Sequence, residues 1–170
     1  MALELNRIGE LTHIQRVWVL TQTAKLLAKT DREKALTLLE TATAEARRLS
    51  GSDLDRPRAL FAIANAFRVV EPARVSEATF DAVKAANSAD GFVGEGGMIT
   101  QTINSKNVIS VIPQDVPDFD IGEIFSALAN NDYENAVQLA RGFQGEAPRT
   151  NATLAIARSV LNQRARVPTP

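Results

Sequence analysis

The sequence predicts a mainly α-helical domain: an α-solenoid-like stack of antiparallel helix pairs, about seven helices in all, with one β-hairpin inserted near residues 98–112. Three observations lead there. Ala- and Leu-rich stretches with apolar residues three or four apart fill most of the 170 residues. A helical segment recurs three times without gaps. Residues 98–112 instead alternate in the manner of strands, around turn-forming Asn104-Ser-Lys-Asn107.

A first helix is expected over about 5–29, with Leu11, Ile14, Trp18, Thr21, Ala24 and Ala28 on one face. Thr30, with Glu33 three positions on, has capping-box spacing for a second helix reaching about Leu49. Its inward stripe is Ala35, Leu38, Leu39, Ala42, Ala46 and Leu49. Ser50-Gly-Ser-Asp53 is a break. A third helix runs from about Arg56 to Val70 with Leu60, Ile63, Ala64 and Phe67 inward. Pro72 suits the first position of a fourth helix, which uses Val75, Ala78, Thr79, Ala82 and Val83 and ends near Asn87. Asp120 and Glu123 have capping-box spacing for a fifth helix ending near Asn130. Helices over about 132–142 and 148–163 follow, the last with Leu154, Ala157 and Leu161 inward. The reading is one helical-repeat domain over 1–163, with an insertion at 88–119 and a flexible tail at 164–170.

The repeat copies start at 30, 70 and 131, intervals of 40 and 61, and the excess in the second interval matches the hairpin region in size. Each copy has an acidic residue at the helix start (Asp31, Glu71, Asp132) and an apolar residue four positions later (Ala35, Val75, Ala136). Asn131-Asp-Tyr-Glu-Asn-Ala-Val137 and the looser Thr30-Asp-Arg-Glu-Lys-Ala-Leu36 resemble the turn and second-helix start of the tetratricopeptide-repeat family. The resemblance covers about half the chain. It implies stacked helix pairs and a scaffold role, and it assigns no binding residues. The last segment is also similar to bacterial helical-repeat proteins, which implies no activity. Ala62, Ala64, Ala66, Ala155 and Ala157 are small enough to let helix axes approach closely.

A net charge of −1 disfavours a nucleic-acid or anionic-membrane partner, and no apolar run is long enough to span a bilayer. The N-terminal residues lack a signal-peptide core, so the expected compartment is the cytoplasm; the absence of cysteine is equally compatible with a mature exported form or a piece of a longer protein. One histidine and no cysteine leave only carboxylates for a metal site. His13 is read as an ordinary boundary residue. Asp115, Asp118, Asp120 and Glu123 form an oxygen-rich cluster, read as caps and solvated groups because the ligand spacing of a calcium loop is missing. Gly91–Gly97 follows a helix and opens a strand, the reverse of a phosphate-binding loop, so it is read as a lead-in to the hairpin. Arg47, Arg48, Arg56 and Arg58 could hold an acidic partner, or lie in solvated turns. Trp18, Phe61, Phe67 and Phe80 are read as core. No cofactor and no metal are expected, and the chain is read as non-enzymatic.

The hairpin is left with three readings: a cap on the helices, a device that pairs with a protein partner or a second copy, or a lid, at 91–120, over a small-ligand or hydrolase-type site. The favoured use is a protein-interaction or scaffold module, a subunit or domain of a larger assembly. The candidate partner-binding residues are Ile99, Gln101, Ile103, Val108, Ile109, Val111 and Ile112. Val108-Ile-Ser-Val-Ile112 is uncharged and β-branched, a composition that invites strand pairing.

Overall fold

The computed structural model describes residues 11–105 and 108–166, and side chains over 11–99 and 113–163. Among the described residues are α1 (His13–Leu27), α2 (Arg32–Arg47), α3 (Asp55–Val70), α4 (Val75–Ser88), β1 (Met98–Ser105), β2 (Val108–Asp115), α5 (Ile121–Asn131), α6 (Tyr133–Arg141) and α7 (Glu146–Arg166). Short 3-10 turns at Pro72–Arg74 and Pro117–Phe119 lead into α4 and α5. The chain is mainly helical with one small antiparallel sheet, as its patterning requires.

The expected start of the first helix near residue 5 lies outside the described residues. Within them, Thr12 is the N-cap. Its hydroxyl accepts from the Gln15 N–H (3.4 Å), and Gln15 Oε1 accepts from the Thr12 N–H (2.9 Å). Sequence periodicity runs through this capping box because apolar residues continue on both sides of it.

The three repeat copies fold alike at their corners. Asp31, Glu71 and Asp132 have φ of −151°, −149° and −151°, and ψ of 78°, 79° and 89°. At each, the backbone N–H donates to the carbonyl four residues earlier: to Leu27 (2.8 Å), Phe67 (2.8 Å) and Leu128 (2.7 Å). The chain thus leaves one helix and enters the next through the same extended residue. Asp31 and Asp132 then cap the new helix, accepting from the Lys34 and Asn135 N–H groups at 3.0 Å each. This corrects the expected box of Thr30 with Glu33. Thr30 is still turning at the end of α1, its N–H bonded to the Leu27 carbonyl (3.0 Å), so the extended residue that can cap is Asp31. Glu71 makes no cap bond and instead pairs with Arg32 (2.8 Å), whose Nε also donates to the Val70 carbonyl (3.0 Å). The corner of the first copy is therefore tied to that of the second.

Matching positions are buried in all three copies: Ala35, Val75 and Ala136; Leu39, Thr79 and Ala140; Ala42, Ala82 and Phe143. Packing follows the same order. Helix α1 pairs with α2, α3 with α4, and α5 with α6, while α1, α3, α5 and α7 also touch in sequence. Phe61 of α3 stacks on Phe92 of the lead-in (centroids 6.0 Å apart) and meets Phe143 (6.3 Å), which meets Phe125 (5.7 Å). Aromatic contacts thus join the helices before the hairpin to those after it.

Two expectations about the core are corrected. On α7 the inward residues are Ala152, Ala155, Ile156 and Ser159, whereas Leu154 and Leu161 are exposed and Ala157 also faces outward. The large leucines suggested the wrong stripe. The face against α5 is narrow and needs small groups, and there the Ser126 hydroxyl reaches the Ala155 carbonyl (3.4 Å). Phe80 is 53% exposed rather than core, with Lys84 Nζ 5.5 Å from its ring centroid.

The shared corner gives a direct expectation. Asp31→Ala and Asp132→Ala each lower stability by about 1 kcal/mol, and Thr30→Ala by much less, in urea unfolding monitored by circular dichroism.

Candidate functional site

The hairpin pairs Met98 with Asp115 at its foot and Ser105 with Val108 at its far end. Both strands extend past the expected 98–103 and 108–112. Of the expected turn, residues 106 and 107 lie outside the described residues. The register sets Gln101 opposite Ile112, Ile103 opposite Ser110 and Val111 opposite Thr102. The backbone of Gln101, Ile103, Val108, Ile109, Val111 and Ile112 is thereby placed, while their side chains lie outside the described ones.

Ile99 is different. It is 3% exposed, packed with Ile14, Ala62, Val116 and Phe119 beneath Trp18. Its side chain anchors the hairpin, so it is corrected from a partner contact to a root.

The foot is built from glycines and a strap. Gly97 O accepts from the Val116 N–H (2.9 Å), and Gly94 O accepts from the Ile121 N–H (3.1 Å). A Cβ on Gly97 would lie 2.6 Å from Phe119 Cδ2. Gly94 has φ +83°, and a Cβ there would strike the end of the Ile121 side chain. These approaches require glycine. On the other side, Asp118 accepts from Lys25 Nζ (2.7 and 2.6 Å) and Gln22 Nε2 (2.6 Å) of α1. The Asp118 carbonyl accepts from Asn65 Nδ2 (3.1 Å) of α3, whose side chain is buried.

Beyond the foot the two strands have each other. Among the described residues the sheet has two strands, and no helix runs along either outer edge. The edges differ. Gly97 and Val116 oppose one another and are joined directly, so the antiparallel alternation makes Met98/Asp115 and Thr100/Pro113 non-hydrogen-bonded pairs. The main-chain groups of such residues point outward. On β1 they belong to Met98, Thr100, Thr102 and Asn104, each with an N–H. On β2 they belong to Asp115, Pro113, Val111 and Ile109, and Pro113 has no N–H. The outer edge of β1 is continuous; that of β2 is interrupted.

Of the four candidate carboxylates, Asp118 stands apart, while Asp115, Asp120 and Glu123 line one open hollow with different partners. Asp118 is in the strap. Asp120 caps α5 by accepting from the Gly122 N–H (2.6 Å). Glu123 does not close the expected box and lies 3.9 Å from Arg68. Asp115 ends β2, exposed. An open hollow of about 360 Å³ beside the foot is lined by Asp115, Asp120, Glu123 and Arg158. Among the described residues no three His, Asp or Glu side chains are placed to hold a metal ion, and no helix is long and apolar enough to cross a membrane.

His13, read as an isolated boundary residue, has a partner. Its Nδ1–H donates to Glu45 Oε2 (2.8 Å), which Arg16 also reaches (3.3 Å), while Arg48 holds Oε1 (2.6 Å). Three donors, two from α1 and one from the C-cap of α2, converge on one buried carboxylate. Nothing in the sequence signals this pairing across 32 positions. Among the four candidate arginines, Arg48 is thus spent on Glu45, and Arg58 pairs with Asp55 (3.0 Å).

Comparison of the chain with protein-family models, curated proteins and solved structures finds no match.

Two outcomes are expected. Gly91→Ala costs about 1–2 kcal/mol, because Gly91 has φ +80° in open space. Gly94→Ala costs about 1–3 kcal/mol more in the same unfolding assay, because it adds the collision with Ile121. The second concerns Glu45. The His13 hydrogen bond holds its carboxyl below the ordinary 4.5, against burial, with help from Arg48 and Arg16. A depressed folded value stabilises the fold above pH 4.5, and this is lost as pH falls through the folded value. Glu45→Gln therefore costs about 1–3 kcal/mol at pH 7, and the gap to the parent closes as pH drops below 4.5. A gap unchanged at pH 3 would exclude the cluster as its source.

Proposed function

We propose that this chain is a non-enzymatic protein-interaction module whose helices hold out a β-hairpin for strand pairing with a protein partner. One observation carries the reading. The outer edge of β1 offers the N–H groups of Met98, Thr100, Thr102 and Asn104 in an unbroken row, with no helix along it among the described residues. An added strand gains its affinity from these main-chain groups, and alternate side chains set its specificity. The rooted foot supports the same reading. Ile99, the Gly94 and Gly97 carbonyls and the Asp118 strap fix the hairpin to the helices, so its projecting part is presented in a defined direction. The tetratricopeptide resemblance adds a scaffold role consistent with this. A lid over a hydrolytic site has weaker support, since Asp118, Asp120 and Glu123 are engaged in a strap, a cap and an ion pair.

The edges separate the test. Thr102→Pro removes one outward N–H from β1 and leaves the ladder to β2 intact, because Thr102 occupies a non-hydrogen-bonded position. It is expected to weaken partner capture or self-association at least about tenfold. Val111→Pro makes the same change on β2 and is expected to leave association near the parent level. Affinity capture from the native source and sedimentation of the purified chain read both. Equal effects of the two prolines, with unchanged circular dichroism, would rule out pairing along β1.

A further inference from the structure

We propose that the groove between α2 and α4, floored by α3, binds an acidic peptide segment of a partner protein. The groove has two contiguous parts. One, of about 350 Å³, is lined by Arg47, Arg56, Asp81 and Lys84. The other, of about 80 Å³, shares Arg47, Leu60 and Asp81 and continues past Ile63 and Phe67 to Arg74 and Glu77. Four cations therefore face two carboxylates along one open cleft.

Among the described residues none of the four has an ion pair with a carboxylate. Arg16, Lys25, Arg32, Arg48, Arg58 and Arg68 all have carboxylate partners. The side chains of Arg47 and Arg56 have no ion pair and no hydrogen bond among the described residues. The Lys84 ammonium lies over the Phe80 ring (5.5 Å) and the Arg74 guanidinium over that of Phe67 (4.5 Å). Arg56 is held by packing. Its Nε is buried without a partner, and its guanidinium lies against the turn at Gly51, where an added Cβ would sit 3.7 Å from Nη1. A guanidinium whose position is fixed by packing has already lost much of its rotamer freedom, so a carboxylate that reaches it gains the charge-assisted bonds at reduced entropic cost.

The shape selects the class of anion. Leu60, Ile63 and Phe67 form a floor between the cationic end at Arg56 and Lys84 and the far end at Arg74. A free phosphate would use one end and leave the partly exposed Leu60 uncovered. An extended segment with carboxylates spaced around an apolar side chain uses both. This groove lies on the helices and does not depend on the hairpin edge, so Thr102→Pro is expected to leave it functional.

The test is fluorescence anisotropy of the full chain with a labelled peptide alternating Glu and Leu, and with the same peptide carrying Gln for Glu. The acidic peptide is expected to bind and the neutral one to bind at least about tenfold more weakly. Arg47→Glu and Lys84→Glu change exposed residues and are each expected to weaken binding about tenfold or more. Arg149→Glu, an equal charge change at an exposed site on α7, is expected to stay within about twofold. Absence of acidic-peptide binding, equal affinity for the Gln peptide, or equal loss in Arg149→Glu would overturn the proposal. Displacement of the peptide by low-millimolar inorganic phosphate would assign the groove to free phosphate and overturn it as well.

Discussion

From Phe61 to Phe67 every residue of α3 is buried, which is two full turns without a solvent face. Such a helix is possible only because three of those residues, Ala62, Ala64 and Ala66, are alanine and let other backbones come close. Helices α1, α2, α4 and α5 and both 3-10 turns pack around it. Interiors are close-packed, so a larger group at any of these alanines displaces a neighbouring element rather than a side chain. The one polar residue between Phe61 and Phe67 is used to fix a position: Asn65 donates to the Asp118 carbonyl and accepts from Arg68 Nη1 (3.3 Å). The helix that organises the repeats therefore also places the segment from which the hairpin returns.

That arrangement explains how an insertion is accommodated between the second and third copies. The chain leaves α4, passes Phe92 into the core beside Phe61, and makes its closest approaches at Gly94 and Gly97. It returns through Val116, Phe119 and the Asp118 strap. The two ends of the excursion meet at a joint that is itself part of the core. The third copy then resumes with the same corner geometry as the first two, and Asn87 of α4 binds the Gly142 carbonyl (2.8 Å) and the Gln144 N–H (2.8 Å) across the gap.

Much of this was legible in the chain. The acidic residue at Asp31, Glu71 and Asp132 marks a backbone conformation, which is a local property and shows in a gap-free alignment. The hairpin was visible because strand alternation and helix periodicity are different signals. What escaped were properties that depend on partners far along the chain. Leu154 and Leu161 were assigned inward by size, but the spacing between α5 and α7 decides which face is buried. Glu45 reads as one more helical glutamate until α1 brings His13 and Arg16 to it. Ile99 looked like its neighbours in β1 because composition does not reveal where a hairpin is rooted. The cationic groove was half visible, as a group of four arginines; which two remain unpaired is a matter of packing.

Pro113 bears on stoichiometry. A two-stranded sheet with two equal edges can add strands on both sides, and identical chains could then grow without limit. Here the missing N–H lies near the foot of β2, on the side away from β1. A strand arriving at β1 finds a full ladder; one arriving at β2 must start beyond the proline, on the part nearer the turn. Under the proposed strand pairing, the hairpin has one uninterrupted edge, which would favour a closed complex over a fibre.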